Sequence, residues 1–388
     1  MDAPEENCGE STRCRVLFAP DFRAYVPYQK TLADALAGEG VDVSFSKGYR
    51  RGLPLTRGLA DDRDAAILHL HWPAFYFSKG GRSDALRKLR FLLDVEFAAR
   101  AKPLVYSLHD LHPTDFEIDA LIRAGTRRLL SRSRKVICHS AAAAQEVSDQ
   151  FGIGPERCTV IPHGDLAGGY GPPLPKDQAR SGLAVPPDER VCLAFGYIAP
   201  NKGLEELIDA WKRLMPDAQL YIVGNCHDTG YACYLNGKAS DAGNVSLQFG
   251  FVSDRQVRLW FSAADCVVVN YRRITTSGVA VLARSYGIPI LVPERLVTVD
   301  LMEPDPSVFR FRALDGGFLG LLDMAMARRA DHAGAAPWRE RTAWSRVAAA
   351  TASVYRAALG HPVSPPARVR DKSASVSWQR FAPPGVDR

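Results

Sequence analysis

Short apolar runs alternate with amphipathic helical stretches along almost the whole chain, in two successive series. Parallel strands need a crossover between them, and a helix is the usual one, so this rhythm specifies β-α-β units and parallel sheets. In the first series residues 15–19, 41–45, 65–71, 104–108, 135–139 and 159–162 read as strands, with helices expected over 28–37, 84–99, 115–130 and 142–150. The second series places strands at 190–195, 219–223, 245–249, 266–269, 289–292 and 308–311, and helices at 204–214, 254–262 and 278–286. Between the series the periodicity stops and Gly168, Gly169, Gly171, Pro172, Pro173 and Pro175 accumulate, the punctuation of a linker. The expectation is an α/β fold of two doubly wound, Rossmann-like domains facing a central cleft. The first spans 1–165, a linker 166–188, the second 189–337, a terminal helix 338–360 and a disordered, proline-bearing tail 361–388.

Composition excludes several function classes. No run of 18 uncharged apolar residues exists; even the greasy stretch 261–271 contains Asp265 and stops at Arg272 and Arg273, so no membrane span is expected. Residues 1–10 are acidic and lack the pattern of a secretory signal, which makes the cytoplasm the expected compartment. None of the 8 cysteines forms a Cys-x-x-Cys pair, so neither a zinc site nor a redox motif is indicated. A net charge of +6 from 49 basic and 43 acidic residues is too mild for a nucleic-acid binder. The excess is nevertheless local: Arg123, Arg127, Arg128, Arg132, Arg134 and Lys135 cluster without an acid among them. A solvated helix face is the simpler account; a site for an anionic acceptor, or peripheral contact with an anionic membrane, is the alternative.

No Gly-x-Gly-x-x-Gly or P-loop pattern follows a strand, so neither a dinucleotide cofactor nor an NTPase is supported. Three strand ends in the second half can bind anions or bases instead. Phe195-Gly196 runs through Pro200-Asn201 to Lys202-Gly203 and opens a helix, placing a point charge beside free N–H groups. Taken alone, Lys202 reads more simply as a solvated turn lysine. Tyr271-Arg272-Arg273 precedes Thr276-Ser277-Gly278, where a hydroxyl can cap a helix and glycine admits a ligand to the backbone. Two such sites in one domain favour a diphosphate. Gly250-Phe251-Val252 ends a third strand, where backbone groups can read a nucleobase edge.

These pieces, with Pro27-Tyr28-Gln29, His69-Leu70-His71-Trp72-Pro73, Ser107-Leu108-His109-Asp110, Ile161-Pro162-His163-Gly164 and Gly287-Ile288-Pro289, resemble in order and spacing the GT-B glycosyltransferases, in particular bacterial mannosyltransferase-like enzymes. The resemblance covers residues 15–359 and implies a first domain for the acceptor and a second for a nucleotide-diphosphate sugar, with no essential metal and no cofactor beyond that donor. It also implies that Lys202 and Arg272, with Tyr271 beside them, hold the diphosphate. Thr276, Ser277 and Gly278 would form the phosphate-facing helix start, Gly196, Gly203 and Gly224 would border the nucleotide, and Phe251 and Val252 would flank the base. His109 would reach the donor sugar, and Asp110 or Asp21 would serve as general base if the anomeric centre inverts.

Ile274 and Leu282 stand where many retaining members carry glutamates, and Tyr197 where an arginine is common. The Thr-Ser-Gly version resembles β-mannosyl transferases, which use GDP-mannose and invert. The resulting expectation is transfer of a hexose, mannose from GDP-mannose first, to a glycan, polyprenyl-linked or small-molecule acceptor. A UDP-sugar transferase, a nucleotide-sugar epimerase and a non-catalytic sugar-nucleotide binder are the alternatives. His69 and His71 share one strand face and read as packing with Trp72. His139 and His163 end strands, and Asp62-Arg63-Asp64 reads as a solvated turn.

Overall fold

The computed structural model describes residues 13–47, 52–77, 84–111, 120–272, 275–294, 305–328, 330–331 and 334–361. The expected tail beyond His361, the acidic start over 1–10, and His112, Arg273 and Ile274 lie outside the described residues.

The first series folds as β1 (Cys14–Ala19), α1 (Tyr28–Ala37), β2 (Val41–Phe45), α2 (Pro54–Asp61), β3 (Ile67–Leu70), α3 (Ala74–Phe77), α4 (Asp84–Ala101), β4 (Leu104–Leu108), α5 (Ala120–Arg132), β5 (Lys135–Cys138), α6 (Ala141–Phe151) and β6 (Cys158–Val160). Then come α7 (Ala167–Tyr170) and α8 (Lys176–Leu183), followed by β7 (Val191–Phe195), α9 (Leu204–Leu214), β8 (Gln219–Gly224), α10 (Thr229–Ala239), β9 (Val245–Phe249), α11 (Asp254–Ala263), β10 (Cys266–Val268), α12 (Gly278–Ser285), β11 (Ile290–Pro293), β12 (Val308–Phe311), α13 (Gly316–Ala327), α14 (Ala336–Arg341) and α15 (Trp344–Ala358). Two 6-stranded sheets result, in the orders β2-β1-β3-β4-β5-β6 and β12-β11-β10-β7-β8-β9. Every strand pair is parallel, with Val16 opposite Ile67 in the first sheet and Cys192 opposite Cys266 in the second. This is the GT-B arrangement of two Rossmann-like sheets with a central cleft.

Each sheet is covered on both faces, which is why its strands read as nearly continuous apolar runs. In β1, Leu17 and Ala19 face a core with Leu55, Phe91, Val95 and Leu129 from α2, α4 and α5. Val16 and Phe18 face the opposite side, against Tyr28 and Leu32 of α1 and Val347, Ala352 and Tyr355 of α15. The last helix thus packs on the first sheet, although the chain reaches it from the second.

Several readings are corrected by packing. The glycine- and proline-rich stretch 166–188 contains α7 and α8, and it is docked on the second domain. Arg180, 5% exposed, pairs with Asp265 at 2.9 Å, and Asp265 also accepts from the Val191 backbone at 2.7 Å. The single terminal helix expected from 338 is broken at Thr342-Ala343. Trp338 remains in the second core, and Trp344 starts the new helix with its Nε1 donating to the Asp165 carbonyl at 2.6 Å. Asp62 is not solvated: it accepts from Arg15 Nε at 2.9 Å and from the Ser44 hydroxyl, tying the end of α2 to β1 and β2. Tertiary partners distant in sequence decide all three cases, and local composition does not encode them.

Tyr355 is buried, and its hydroxyl lies 2.6 Å from His69 Nδ1. Tyr355→Ala removes a large buried ring and one partner of a buried imidazole. The expected cost is about 3–5 kcal/mol, by comparison with other buried aromatic truncations. Urea unfolding checks this; an unchanged midpoint would show that α15 does not hold the first domain.

Candidate active site

In a doubly wound sheet, ligands sit beyond the carboxyl ends of the strands where the strand order reverses. In the second sheet that point lies between β7 and β10, so the loops after these strands define the site. Backbone geometry keeps its floor free of side chains. Gly196, Gly224 and Gly250 end neighbouring strands at φ values of 109°, 155° and 147°. Gly196 N donates to Val223 O at 3.0 Å, and Gly250 N donates to Gly224 O at 2.9 Å. A Cβ on Gly224 would stand 1.7 Å from Gly196 O, so only glycine fits that crossing. The rim leads outward to Phe251, which is 69% exposed, and to Val252, which packs partly against the second core.

The two switch-point loops are tied together. Asn270 Nδ2 donates to Gly203 O at 2.8 Å, and Arg272 N donates to Asn201 O at 2.8 Å. Lys202 Nζ sits 3.7 Å above the Tyr271 ring, a cation held on an aromatic face. The Arg272 guanidinium bonds Glu205 and Glu206, each at 2.7 Å, and these hydrogen bonds, Glu206 foremost, raise its pKa further. Beyond it Ser277 caps α12 by accepting from Ala280 N at 3.1 Å, while Gly278 is exposed at the helix start and Thr276 is half-buried. The sequence-named residues Gly196, Lys202, Gly203, Tyr271 and Arg272 therefore lie on one loop pair, with Gly224 against it.

The first sheet brings histidines together at the same kind of edge. His71 Nδ1 is 3.2 Å from His109 Nε2, and Trp72 stacks on His109 with centroids 4.0 Å apart. Trp72 adopts a left-handed φ of 39°, a strained conformation for a bulky residue. His139 lies 4.9 Å from His109 and 5.2 Å from His163, centroid to centroid. Tyr28 presents its edge to His109 at 4.9 Å and packs a tilted ring on His163 at 4.8 Å. His69 lies beneath, 4.2 Å from His71 and bridged to Ser107 at 2.8 Å. Among the described residues, no group of three or more His, Cys, Asp or Glu side chains is placed to hold a metal ion. Burial depresses every one of these imidazoles: to about 3 for His69 and His139, to about 4 for His163, and well below the ordinary value for His71 and His109. They are neutral donor-acceptors at physiological pH.

Of the two candidate bases, Asp21 is gripped by Arg23 through bonds of 3.0 and 2.9 Å, and that grip lowers its pKa. Asp110 is half-buried in the loop after β4, between His109 and Leu111. Leu111 N donates to Thr275 Oγ1 at 3.0 Å, joining the His109 loop of the first domain to the lead-in of α12 in the second. Sequence reading did not find Thr275, nor Asn270, nor the pair Glu205 and Glu206. The glutamates carried a usable signal, being acidic residues within two turns of Lys202; Thr275 carried none, because its partner is 164 positions away.

The histidine array ties stability to pH. Each imidazole is neutral in the fold but takes up a proton below about pH 6.5 once unfolded, so the unfolded state binds more protons on acidification. Stability is fully present above about pH 6.5 and falls toward the folded pKa values, by up to about 1.4 kcal/mol per pH unit for each histidine. Urea midpoints at pH 7.5 and 5.5 should differ strongly, in an interval where ordinary carboxylates do not titrate. Equal midpoints would contradict the burial of the array.

Comparison with known proteins matches both halves. Residues 27–164 fit the family described as Glycosyltransferase Family 4, and residues 189–303 fit Glycosyl transferases group 1. Among relatives, the chain is 27% identical over 301 residues to a GDP-mannose:glycolipid 4-beta-D-mannosyltransferase of Xanthomonas campestris pv. campestris, covering 76% of this chain and 80% of that one. It is 28% identical over 251 residues to a D-inositol 3-phosphate glycosyltransferase of Geodermatophilus obscurus, covering 59% and 55%. In fold it resembles a glycosyltransferase from Rickettsia africae, with a TM-score of 0.65 at 11% identity over 90% of this chain and 99% of that one. Anabaena HepE, crystallised with UDP-glucose, gives a TM-score of 0.61 at 18% identity over 87% and 94%. Two matched halves on two facing parallel sheets make this chain a GT-B fold glycosyltransferase of the clan that joins family 4 and group 1, an enzyme that moves a sugar from a nucleotide-diphosphate donor to an acceptor.

Proposed function

We propose that the enzyme transfers mannose from GDP-mannose to a hydroxyl of a glycan or lipid-linked sugar, with inversion. The reading rests on one observation above the others: the Leu111–Thr275 bond brings the His109-Asp110 loop against the loop that carries Arg272 and opens α12. Donor chemistry belongs to the second domain and acceptor chemistry to the first. Lys202, Arg272 and the start of α12 neutralise the departing diphosphate, so protein groups supply the charge that a metal provides elsewhere. Gly196, Gly203 and Gly224 admit the nucleotide backbone-close, Phe251 and Val252 flank the base, and Tyr271, Thr276, Ser277 and Gly278 complete the phosphate side.

Asp110 takes the proton of the acceptor hydroxyl as its oxygen attacks the anomeric carbon and the bond to the diphosphate breaks on the opposite face. Asp110 is preferred over Asp21 because Arg23 already stabilises the Asp21 carboxylate and weakens it as a base. His109, held neutral by burial and stacked on Trp72, is the first-domain residue we assign to the donor sugar. The sugar and base are supported by the Xanthomonas relative, whose name specifies GDP-mannose and a glycolipid. Inversion is supported by Leu282, which is buried in the second core where retaining members carry a carboxylate. Cys192 and Cys266, opposite each other on neighbouring strands and both free thiols, fit a reducing cytoplasm.

A panel of GDP, UDP and dTDP with their sugars should show the largest thermal stabilisation with the guanine nucleotide. Lys202→Ala should weaken nucleotide binding about tenfold and reduce transfer with it. Asp110→Asn should lower kcat at least about 100-fold with little change in donor binding, whereas Asp21→Asn should not. Full transfer by Lys202→Ala, or stabilisation by UDP alone, would overturn the reading; turnover of donor without acceptor would indicate the epimerase.

A further inference from the structure

α4 has the wrong outer face for a helix in water. Leu86, Leu89, Leu93 and Phe97 are 52%, 51%, 51% and 46% exposed, and their spacing lines them up along the helix within an arc of roughly 80°. The opposite face is well packed: Phe91, Val95 and Ala98 enter the core, and Asp94 accepts from the Leu55 and Thr56 backbone at 2.7 and 2.9 Å, holding α2. The stripe is therefore a surface that a correctly seated helix presents outward.

The charge beside it indicates what covers it. Arg128 and Arg132 of α5 and Arg100 of α4 converge on the single carboxylate of Glu96, at 3.3, 2.6 and 3.0 Å. Three guanidinium groups on one carboxylate leave a surplus of positive charge along the edge of the stripe. Arg123, Arg127 and Arg134 are exposed and make no ion pair among the described residues. Where the stripe ends, Arg100, Lys102, Arg132 and Arg134 line a recess in which Glu96 is the one acid. A bilayer of anionic lipid matches both the apolar ridge and the neighbouring arginines.

We propose that α4 and α5 form a docking surface for an anionic lipid bilayer, the apolar ridge entering the headgroup boundary and the arginines meeting lipid phosphates. No helix among the described residues is long and apolar enough to cross a membrane, so this contact lies on the surface and is reversible. α4 starts toward the sheet edge at which β3 delivers His71 and Trp72 and ends at the opposite edge, where the arginine recess lies beside the start of β4. This proposal is independent of the sugar and base assigned above, and it deepens only the lipid-linked acceptor.

Sedimentation of the full chain with vesicles tests it. Vesicles of phosphatidylcholine with phosphatidylglycerol should bind at least about tenfold more protein than phosphatidylcholine alone, and added salt should weaken binding. Arg123→Gln with Arg127→Gln should cut binding about fivefold per arginine. Leu93→Ser with Phe97→Ser should cut it about tenfold or more. Because all four side chains are exposed, both variants should keep the wild-type melting temperature and nucleotide-induced stabilisation. Failure of docking is thereby read separately from failure of the transferase reading. Equal binding to both vesicle types, or no effect of either variant, overturns the proposal. Loss of a concentration-dependent dimer in the Leu93→Ser/Phe97→Ser variant, with no vesicle binding by the wild type, overturns it in favour of a second copy of the chain.

Discussion

A parallel sheet cannot be closed by tight turns, and from that constraint the rest of this molecule follows. Each strand must be followed by a crossover, every crossover leaves from the same edge, and the loops on that edge become neighbours. Loops after β7 and β10 thus meet at the reversal of strand order and supply Lys202, Tyr271 and Arg272 together. Loops after β3, β4 and β5 do the same for His71, His109 and His139. A hydrogen bond from Leu111 to Thr275 then joins one edge to the other.

Lys202 and Arg272, the two cations at the switch point of the second sheet, are held differently. Lys202 rests on the face of Tyr271, a contact that orients the ammonium without neutralising it. Arg272 is paired with Glu205 and Glu206, so an anion approaching it would compete with two carboxylates. The glutamates also open α9, where negative charge is favoured by the helix dipole, so releasing Arg272 leaves them stabilised.

Much of this was legible in the sequence because apolar periodicity is a local record of burial on both faces of a sheet. Every strand of both sheets falls within a few residues of its expected position, and Gly196, Lys202, Tyr271 and Arg272 stand where the strand-end argument put them. The parts that were not legible depend on distant partners. Asp62 looked like a solvated turn until Arg15 and Ser44 were brought beside it. The stretch 166–188 looked like a linker until Asp265 supplied a buried partner for Arg180. Thr275 gave no signal at all, since a lone threonine in a loop acquires a role only when the other domain presents a free backbone N–H.

The histidine array raises the question of why so many imidazoles are buried together when apolar side chains would pack more cheaply. Their hydrogen bonds answer part of it: His69 joins Ser107 of β4 to Tyr355 of α15, so the helix that follows the second domain is fastened to the first sheet. His71 passes that fastening upward to His109, one residue from Asp110. His71 Nε2 and His139 Nε2 are buried without a hydrogen-bond partner among the described residues, a cost kept down by both rings staying neutral. Burial is thus what holds the array neutral: it lowers the pKa of each imidazole, so the fastening carries no charge at physiological pH.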